Sequence, residues 1–308
     1  MPQWAGSSWY FLRYVDPKNK KSLADFNKLK HWNPVDWYNG GMEHTTLHLL
    51  YSRFWNKFLY DIGAIPNSEP YAKRTSHGMI LGEGGEKMSK SRGNVINPDD
   101  IVREYGADTL RVYEMFMGPF EQAIPWDTKG VIGVRRFLEK VWRLQEKVDS
   151  KAIVNKDTER LLHQTIKKVG SDIESQDYNT AVSALMILAN DFAKQEKITK
   201  NYFETFLILL SPFAPHIADE LWQVIDNKKS IDLQGWPKYD PQLAQVKEIE
   251  LVLQINGKIR ERIKAPAGIS EEEAKKLALS SVRIKENLAG KEIKKIVFVK
   301  DKLINIVI

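Results

Sequence analysis

The stretch that decides the fold is a short segment rich in glycine, lysine and serine. It reads Gly82-Glu83-Gly84-Gly85-Glu86-Lys87-Met88-Ser89-Lys90-Ser91-Arg92-Gly93-Asn94. Glycine lets the backbone bend freely, and Lys87, Lys90 and Arg92 gather positive charge. Cations held near a transferring phosphate stabilise the charge that develops on it. The stretch therefore indicates a loop for an anionic ligand, most naturally a triphosphate. A solvated surface loop is the alternative for any Gly/Lys-rich sequence.

Residues 87–91 read Lys-Met-Ser-Lys-Ser, which resembles the signature loop of class I aminoacyl-tRNA synthetases. The flanks, Met79–Gly84 and Gly93–Asp99, resemble the bacterial leucyl-tRNA synthetase version of that loop. The similarity runs along nearly the whole chain. It is to the C-terminal portion of bacterial leucyl-tRNA synthetases, which belong to class Ia. It implies that Lys87 and Lys90 are catalytic and steady the triphosphate. It also implies an ATP-binding role for the whole signature: Lys87, Met88, Ser89, Lys90 and Ser91.

Composition excludes several classes of protein. The 308 residues are 43% hydrophobic and 28% charged, which is ordinary for a globular protein of about two or three domains. Cysteine is absent, so disulfides and thiolate zinc sites are excluded. No apolar run approaches the roughly 18 residues of a membrane span, and the N-terminus lacks a signal-peptide layout. These features predict a cytoplasmic protein with no membrane partner and no bound metal.

The positive charge is unevenly distributed. The formal net charge is +6, and residues 247–308 hold 14 lysines and arginines against nine aspartates and glutamates. Such an asymmetry suggests a polyanionic partner, although a solvated basic face is an equally good interpretation of charge alone.

The N-terminal run Trp4–Tyr14 is crowded with aromatic residues. Aromatic clusters are usually core. Here the run also resembles the synthetase segment that lines the amino-acid pocket. On that resemblance Trp4, Ser7 and Tyr10 stand near the side chain of the substrate, and an apolar wall with a few hydroxyls suits a branched aliphatic amino acid.

A strand, a turn and a helix are predicted next. Val35–Tyr38 reads as a strand and Asn39–Gly41 as a turn, after which apolar residues recur at helical spacing: Leu47, Leu50, Phe54 and Phe58. This unit binds nucleotides at the carboxyl edge of parallel sheets. Gly40 and Gly41 would let the backbone approach a ribose or base.

Two histidines four residues apart, His44 and His48, share a face of this helix. They are core or surface histidines, a metal pair, or ligand-binding residues. The metal pair is disfavoured because Glu43 precedes the first histidine, whereas the zinc-protease glutamate follows it. The family resemblance implies the third interpretation, with Gly40, Gly41, Glu43 and His48 binding ATP and His44 in the amino-acid pocket. His77 is interpreted as an ordinary polar residue.

The remaining chain predicts three features. Asp99 or Asp100 would cap a helix beginning near Ile101. Residues 130–227 carry helical stripes typical of an antiparallel bundle. After residue 245 the pattern changes to strands, with a type I′ hairpin signal at Asn256-Gly257 and a capping box in Ser270 with Glu273. The resemblance implies a tRNA-binding module there, with four cations facing phosphate: Lys258, Arg260, Arg262 and Lys264.

The predicted organisation is therefore multidomain. Residues 1–128 form the second half of an α/β Rossmann-like nucleotide-binding domain with the signature loop and stem-contact region. Residues 129–245 form an all-α helical bundle of the anticodon-binding type, and residues 246–308 a small α+β tRNA-binding domain.

Class I synthetases carry another signature early in the chain, typically His-Ile-Gly-His, which is called the first signature below. It has no match here, because all six histidines lie elsewhere. The resemblance thus implies a leucine–tRNA ligase subunit or fragment that lacks this signature and the editing domain. Its implied partners are tRNA(Leu), leucine, ATP with Mg²⁺, and a separate chain carrying the N-terminal half. A natural split subunit and a truncated product remain open. So do a non-catalytic tRNA-binding fragment and a valyl- or isoleucyl-specific relative.

Overall fold

In the computed structural model, the described residues are 4–153, 155–245, 248–288 and 290–308. This part is a mixed α/β protein with twelve α-helices and small sheets. The first residues of the predicted first and third domains, 1–3 and 246–247, lie outside it. The chain divides into two compact units: Met1–Ile153 with Lys167–Pro237, and Val154–Ile166 with Lys238–Ile308. The three-domain division stays a prediction.

The first unit begins with a 3-10 helix at Gly6–Ser8, helix α1 (Tyr10–Arg13) and helix α2 (Phe26–Trp32). Phe11, Leu12 and Leu29 form a small buried core between them. The Arg13 guanidinium fixes the intervening loop, because it donates hydrogen bonds to four backbone carbonyls, those of Pro17, Asn19, Ser22 and Leu23.

Strands β1 (Val35–Gly41) and β2 (Tyr71–His77) pair in parallel, with helix α3 (His48–Asp61) between them in sequence. The predicted parallel strand–helix unit is thus confirmed. The predicted turn at Asn39–Gly41 is wrong, since these residues continue β1 and pair with Thr75, Ser76 and His77 of β2. Pairing with the second strand outweighs the turn preference of Asn and Gly.

Helix α3 is present as the spacing predicts, but a different face is buried. Its buried residues are His48, Leu49, Ser52 and Asn56. The apolar residues of the predicted stripe are exposed: Leu50 by 59%, Phe54 by 60% and Phe58 by 46%.

The next elements surround the signature segment. They are β3 (Ile80–Leu81), α4 (Pro98–Tyr105), α5 (Ala107–Phe116) and β4 (Ile124–Pro125), and β3 pairs in parallel with β4. The cap of α4 is not Asp99 or Asp100. Asn97 accepts the backbone N–H of Asp99, and Pro98 occupies the first helical position, where its missing N–H costs nothing.

The predicted helical run after Gly130 is confirmed. It comprises α6 (Thr128–Leu144), α7 (Lys156–Ser175), α8 (Tyr178–Lys194), α9 (Lys200–Leu210) and α10 (Pro215–Val224), with a two-residue parallel pair, β5 (Val148–Asp149) and β6 (Ile198–Thr199). In the first unit, α5 packs against α6 and α8, and α10 packs against α9. The core is aromatic and aliphatic, with Phe192, Phe203, Phe206 and Phe213 fully buried.

The second unit holds a four-stranded sheet of order β8-β7-β10-β9. Its strands are β7 (Glu248–Ile255), β8 (Lys258–Pro266), β9 (Lys295–Val299) and β10 (Leu303–Val307), and α11 (Glu271–Ser280) and α12 (Val282–Leu288) pack on one face. Asn256 and Gly257 both have positive φ, 49° and 76°, as a type I′ turn requires. The Ser270–Glu273 capping box is also confirmed.

Candidate functional site

A cavity of about 340 Å³ opens beside the carboxyl ends of β1 and β2. It brings together residues that are far apart in sequence, from the N-terminal segment, from β1, from α3 and from β2. Seven of its lining residues were predicted as site residues, namely Trp4, Ser7, Tyr10, Gly40, Gly41, His44 and His48. The residues proposed for the amino-acid pocket therefore meet at one place.

His48 lies at the centre of a hydrogen-bonded chain in this cavity. Its Nδ1 is 3.2 Å from the Ser7 hydroxyl, and its Nε2 is 2.7 Å from the Tyr38 hydroxyl. The Tyr38 hydroxyl is in turn 2.6 Å from that of Tyr10. The chain holds the imidazole and both phenols in fixed orientations.

Burial keeps His48, Tyr38 and the neighbouring Tyr71 uncharged at neutral pH. Burial, and secondarily the neighbouring His44, lower the pKa of His48 below its ordinary 6.5. Burial followed by the hydrogen bond with Tyr10 raises the pKa of Tyr38, and burial raises that of Tyr71. Tyr71 stacks on Tyr38 with ring centroids 4.0 Å apart and donates to Ser52 at 2.8 Å. The hydrogen-bonding groups around His48 are therefore polar but neutral.

The glycine pair at the end of β1 borders the cavity in two different ways. A Cβ on Gly40 would meet nothing within 4 Å, so this position leaves open space beside the cavity. A Cβ on Gly41 would overlap the carboxylate of Glu43, which lies directly beside that backbone. Glu43 is exposed on the 3-10 helix Met42–Thr45 and does not line the cavity itself.

Trp4 and His44 form one wall, with their rings edge to face at 5.4 Å. Two buried nitrogens at this site have no hydrogen-bond partner among the described residues, Nδ1 of His44 and Nε of Arg74. Buried polar atoms are nearly always paired, and exceptions concentrate at functional sites. A ligand in the cavity would lie next to both side chains.

Five lining residues were not predicted as site residues, namely Tyr38, Asn39, Leu49, Arg74 and His77. Arg74 is the register partner of Tyr38 on β2, so their side chains lie on the same face of the sheet. Its guanidinium donates to the carbonyl of Gly41 at 3.1 Å. The register of a parallel pair joined through a helix was the missing information, because it decides which residues of β2 face the glycines.

The signature segment forms a separate loop and does not line this cavity. Asn94 joins its C-terminal end to its middle, since the Asn94 Oδ1 accepts the backbone N–H of Ser89 at 2.9 Å and the Asn94 amide donates to the carbonyl of Lys87 at 3.4 Å. Gly85 and Gly93 have φ of 76° and 66°, a region that favours glycine. Two of the four glycines in this stretch are thus required by backbone geometry.

The cations of the loop differ in their surroundings. The Arg92 guanidinium pairs with Glu86 at 2.5 Å. The ammonium groups of Lys87 and Lys90 are exposed and have no ion-pair or hydrogen-bond partner in the described part of the chain. Ser89 and Ser91 bond to each other at 3.0 Å. The two predicted catalytic lysines are therefore free to bind an anion.

The four predicted tRNA-binding cations all lie on β8, an edge strand of the second unit, and all are exposed. Arg262 pairs with Glu250 at 2.6 Å. A β-bulge opposite Leu253/Gln254 interrupts the alternation. Consequently the side chains of Lys258 and Arg260 are not in regular alternation with those of Arg262 and Lys264.

Neither a candidate metal site nor a membrane-spanning helix occurs among the described residues. No cluster of three or more His, Asp or Glu residues there is arranged to hold a metal ion. Across the same residues, no helix has the length and apolar character needed to cross a membrane.

Two family models match parts of the chain. Residues 18–127 match the family model for class I tRNA synthetases (I, L, M and V). Residues 155–275 match the anticodon-binding domain of tRNA ligases. The chain belongs to the class I tRNA synthetases. Within this synthetase chain, the first match contains β1, α3, β2 and the signature loop.

The synthetase chain is similar in fold and sequence to a solved LeuRS. It is 33% identical to a LeuRS of Agrobacterium radiobacter K84, solved in a ternary complex with tRNA and LeuAMS, with a TM-score of 0.78 over 98% of this chain. It spans 42% of that protein. A methionyl-tRNA synthetase of Mycobacterium tuberculosis, in complex with methionyl-adenylate, shares the fold at 15% identity, with a TM-score of 0.52 over 68% of this chain and 52% of that one.

Proposed function

We propose that this chain supplies part of the adenylation site and the tRNA-binding part of a leucine–tRNA ligase. In this reaction the leucine carboxylate attacks the α-phosphorus of ATP, and pyrophosphate leaves as leucyl-adenylate forms. A ribose hydroxyl of the 3′-terminal adenosine of tRNA(Leu) then attacks the carbonyl carbon, and AMP leaves. The similarity of nearly the whole chain to a LeuRS supports the family assignment.

The observation that carries the proposal is the cavity around His48. Its lining is formed by ring systems, a leucine, two glycines, neutral hydrogen-bonding groups and the Arg74 guanidinium, with no carboxylate among the lining residues. The rings and Leu49 suit an apolar side chain, and the Arg74 guanidinium disfavours a cationic one. Trp4, Tyr10 and Leu49 would contact the aliphatic group, and His48 is held by Ser7 and Tyr38.

The signature loop supplies the electrostatic part. Lys87 and Lys90 would contact the triphosphate, which enters as its Mg²⁺ complex, and would stabilise the charge that moves onto pyrophosphate. A general base is unnecessary, because the attacking carboxylate is already ionised at neutral pH. Gly40, Gly41 and Glu43 would border the adenosine. The chemistry then rests on positioning and charge stabilisation.

In this proposal a polypeptide carrying the first signature, as part of the same protein or as a separate chain, completes the ATP site. A chain that binds tRNA without catalysing adenylation is the second candidate. The exposed cations on β8 and the anticodon-binding match favour tRNA binding for either candidate.

The test is ATP–pyrophosphate exchange by the chain together with a polypeptide carrying the first signature, run with leucine, isoleucine or valine. We expect leucine to support exchange about 10- to 200-fold better than valine, because one methylene in an apolar pocket discriminates by that factor. Faster exchange with isoleucine or valine would reassign the substrate. If no amino acid supports exchange but the chain still binds tRNA in a gel-shift assay, the non-catalytic candidate is the one that remains.

A further inference from the structure

The exposed face of α6 carries a row of cations that neither matched family region contains, because residues 128–154 lie between the two matches. We define the α6 basic ridge as the exposed residues Lys129, Arg136, Lys140 and Arg143. With about 100° and 1.5 Å per helical residue, these positions fall within about 60° of the circumference and extend over about 21 Å. The opposite face is buried in the first unit, with Val131, Val134, Phe137, Leu138, Val141 and Leu144.

The charge of the ridge is not neutralised within the described structure. The nearby carboxylate Glu139 pairs instead with Arg135 at 3.0 Å, on the flank of the helix. Lys140 donates to the side-chain oxygen of Asn190 at 2.6 Å, a neutral partner that orients the ammonium without cancelling its charge. Arg136 and Arg143 have no ion pair or side-chain hydrogen bond among the described residues.

Gly133 lies on the same side of α6, between Lys129 and Arg136. A Cβ there would meet nothing within 4 Å, so neighbouring protein does not require a glycine. Glycine in a helix interior is less favourable than alanine. Because Gly133 has no side chain, a ligand could approach the backbone of α6 closely between Lys129 and Arg136.

We propose that the α6 basic ridge binds the phosphate backbone of a helical part of tRNA. The choice of tRNA rests on the proposed function. Charge complementarity supports this choice, because a straight row of unpaired cations matches a linear polyanion better than the mixed charges of a protein surface. Arginine also binds phosphate in a two-pronged geometry. The ridge contains no aromatic side chain for base stacking, so its contacts would position the RNA without reading its sequence.

The first test adds charge at Gly133 and removes no existing contact. Labelled tRNA(Leu) transcript would be titrated with the unmodified chain, G133E, G133Q and G133K, and binding followed by fluorescence anisotropy. We expect about threefold to fivefold weaker binding for G133E and correspondingly tighter binding for G133K, since each places one unit charge near the phosphates. G133Q is the matched neutral control and should bind as the unmodified chain does.

The second test is the triple variant R136Q/K140Q/R143Q, compared with K228Q/K229Q/K238Q, which removes the same charge from exposed lysines elsewhere in the chain. Loss of two or three phosphate contacts should lower the slope of log K against log salt by about 2 to 3. The control set should leave the slope within experimental error of the unmodified value. Circular dichroism would check that every variant remains folded.

The outcomes separate the ridge from the proposed function. Unchanged affinity and slope in the ridge variants, with tRNA bound by the unmodified chain, would overturn the ridge alone. Equal losses in the control set would show a general charge effect and also overturn it. No binding of tRNA by the unmodified chain would overturn both the ridge and the tRNA-binding part of the proposed function.

Discussion

The cavity around His48 and the signature loop at residues 82–94 differ in how far the described chain fixes their geometry. In the cavity, Ser7, His48, Tyr38 and Tyr10 are joined by successive hydrogen bonds, and His48 is only 8% exposed. In the loop, the lysines are exposed and free, and Asn94 provides the main internal hydrogen bonds.

The difference teaches which part of the reaction each region serves. A side chain that must recognise shape is best held rigidly before the substrate arrives, because pre-organisation reduces the entropy lost on binding. The lysine ammonium groups of the loop must instead be able to move until the triphosphate is bound. Substitutions in the cavity should therefore change stability, whereas substitutions in the loop should change activity at constant stability.

The largest expected effect is that of Lys90→Ala. Removing one charge-stabilising donor commonly costs 10²–10³ in rate, so ATP–pyrophosphate exchange by the completed enzyme should fall by about that factor. The melting temperature should stay constant, since the side chain has no partner in the described structure. Lys20→Ala, at another exposed lysine, is the control. A lowered melting temperature in K90A would contradict the separation of roles.

In the cavity, Tyr38→Phe removes the hydroxyl shared by His48 and Tyr10. Two partly buried polar atoms then lose a partner, and the free energy of unfolding should fall by about 1–3 kcal/mol. Urea unfolding followed by near-UV circular dichroism measures this change. Tyr60→Phe on the exposed side of α3 should stay within about 0.5 kcal/mol of the unmodified chain. Equal stability of Y38F and Y60F would show that the cavity is not fixed by this chain.

The lowered pKa of His48 predicts a pH dependence of stability. Its contribution is fully present above the unfolded-state pKa of 6.5 and is lost as pH falls toward the lower folded pKa, because only the unfolded state takes up the proton there. The unfolding free energy should drop by at most about 1.4 kcal/mol per pH unit in that window. His48→Gln should remove this slope, and His163→Gln should retain it. An identical slope in H48Q would assign the effect to another group.

The smallest expected effect is that of Gly93→Ala in the loop. At a φ of 66° a Cβ costs about 1–2 kcal/mol, so the loop would populate its observed conformation less. Exchange activity should fall by about tenfold, with the melting temperature unchanged. Gly84→Ala is the matched control, because Gly84 has open space and no positive φ. Equal activities of the two variants would mean that the loop conformation is not the active one.

The sequence predicted those features that depend on local chemistry. The hairpin at Asn256-Gly257, the capping box at Ser270 and the helical stripe of α6 all follow from neighbouring residues, and each is present. The meeting of Trp4, Ser7 and Tyr10 with His44 and His48 came from family resemblance rather than from spacing.

The missed features depend on contacts between distant segments. Asn39–Gly41 became strand because β2 pairs with it, and Arg74 entered the cavity through that register. The exposure of Phe54 and Phe58 on α3 has the same origin, since helical spacing identifies an apolar stripe but not what covers it. The β8 bulge likewise moved Lys258 and Arg260 out of alternation with Arg262 and Lys264.

The most direct test of the central claim is leucine-dependent ATP–pyrophosphate exchange, measured on the chain alone and mixed with a polypeptide that carries His-Ile-Gly-His. The account predicts exchange in the mixture, no exchange by either part alone, and loss of exchange when the chain carries K90A. A mixture that remains inactive although both parts are folded, or one in which K90A is as active as the unmodified chain, would contradict the claim that this loop and cavity form part of the adenylation site.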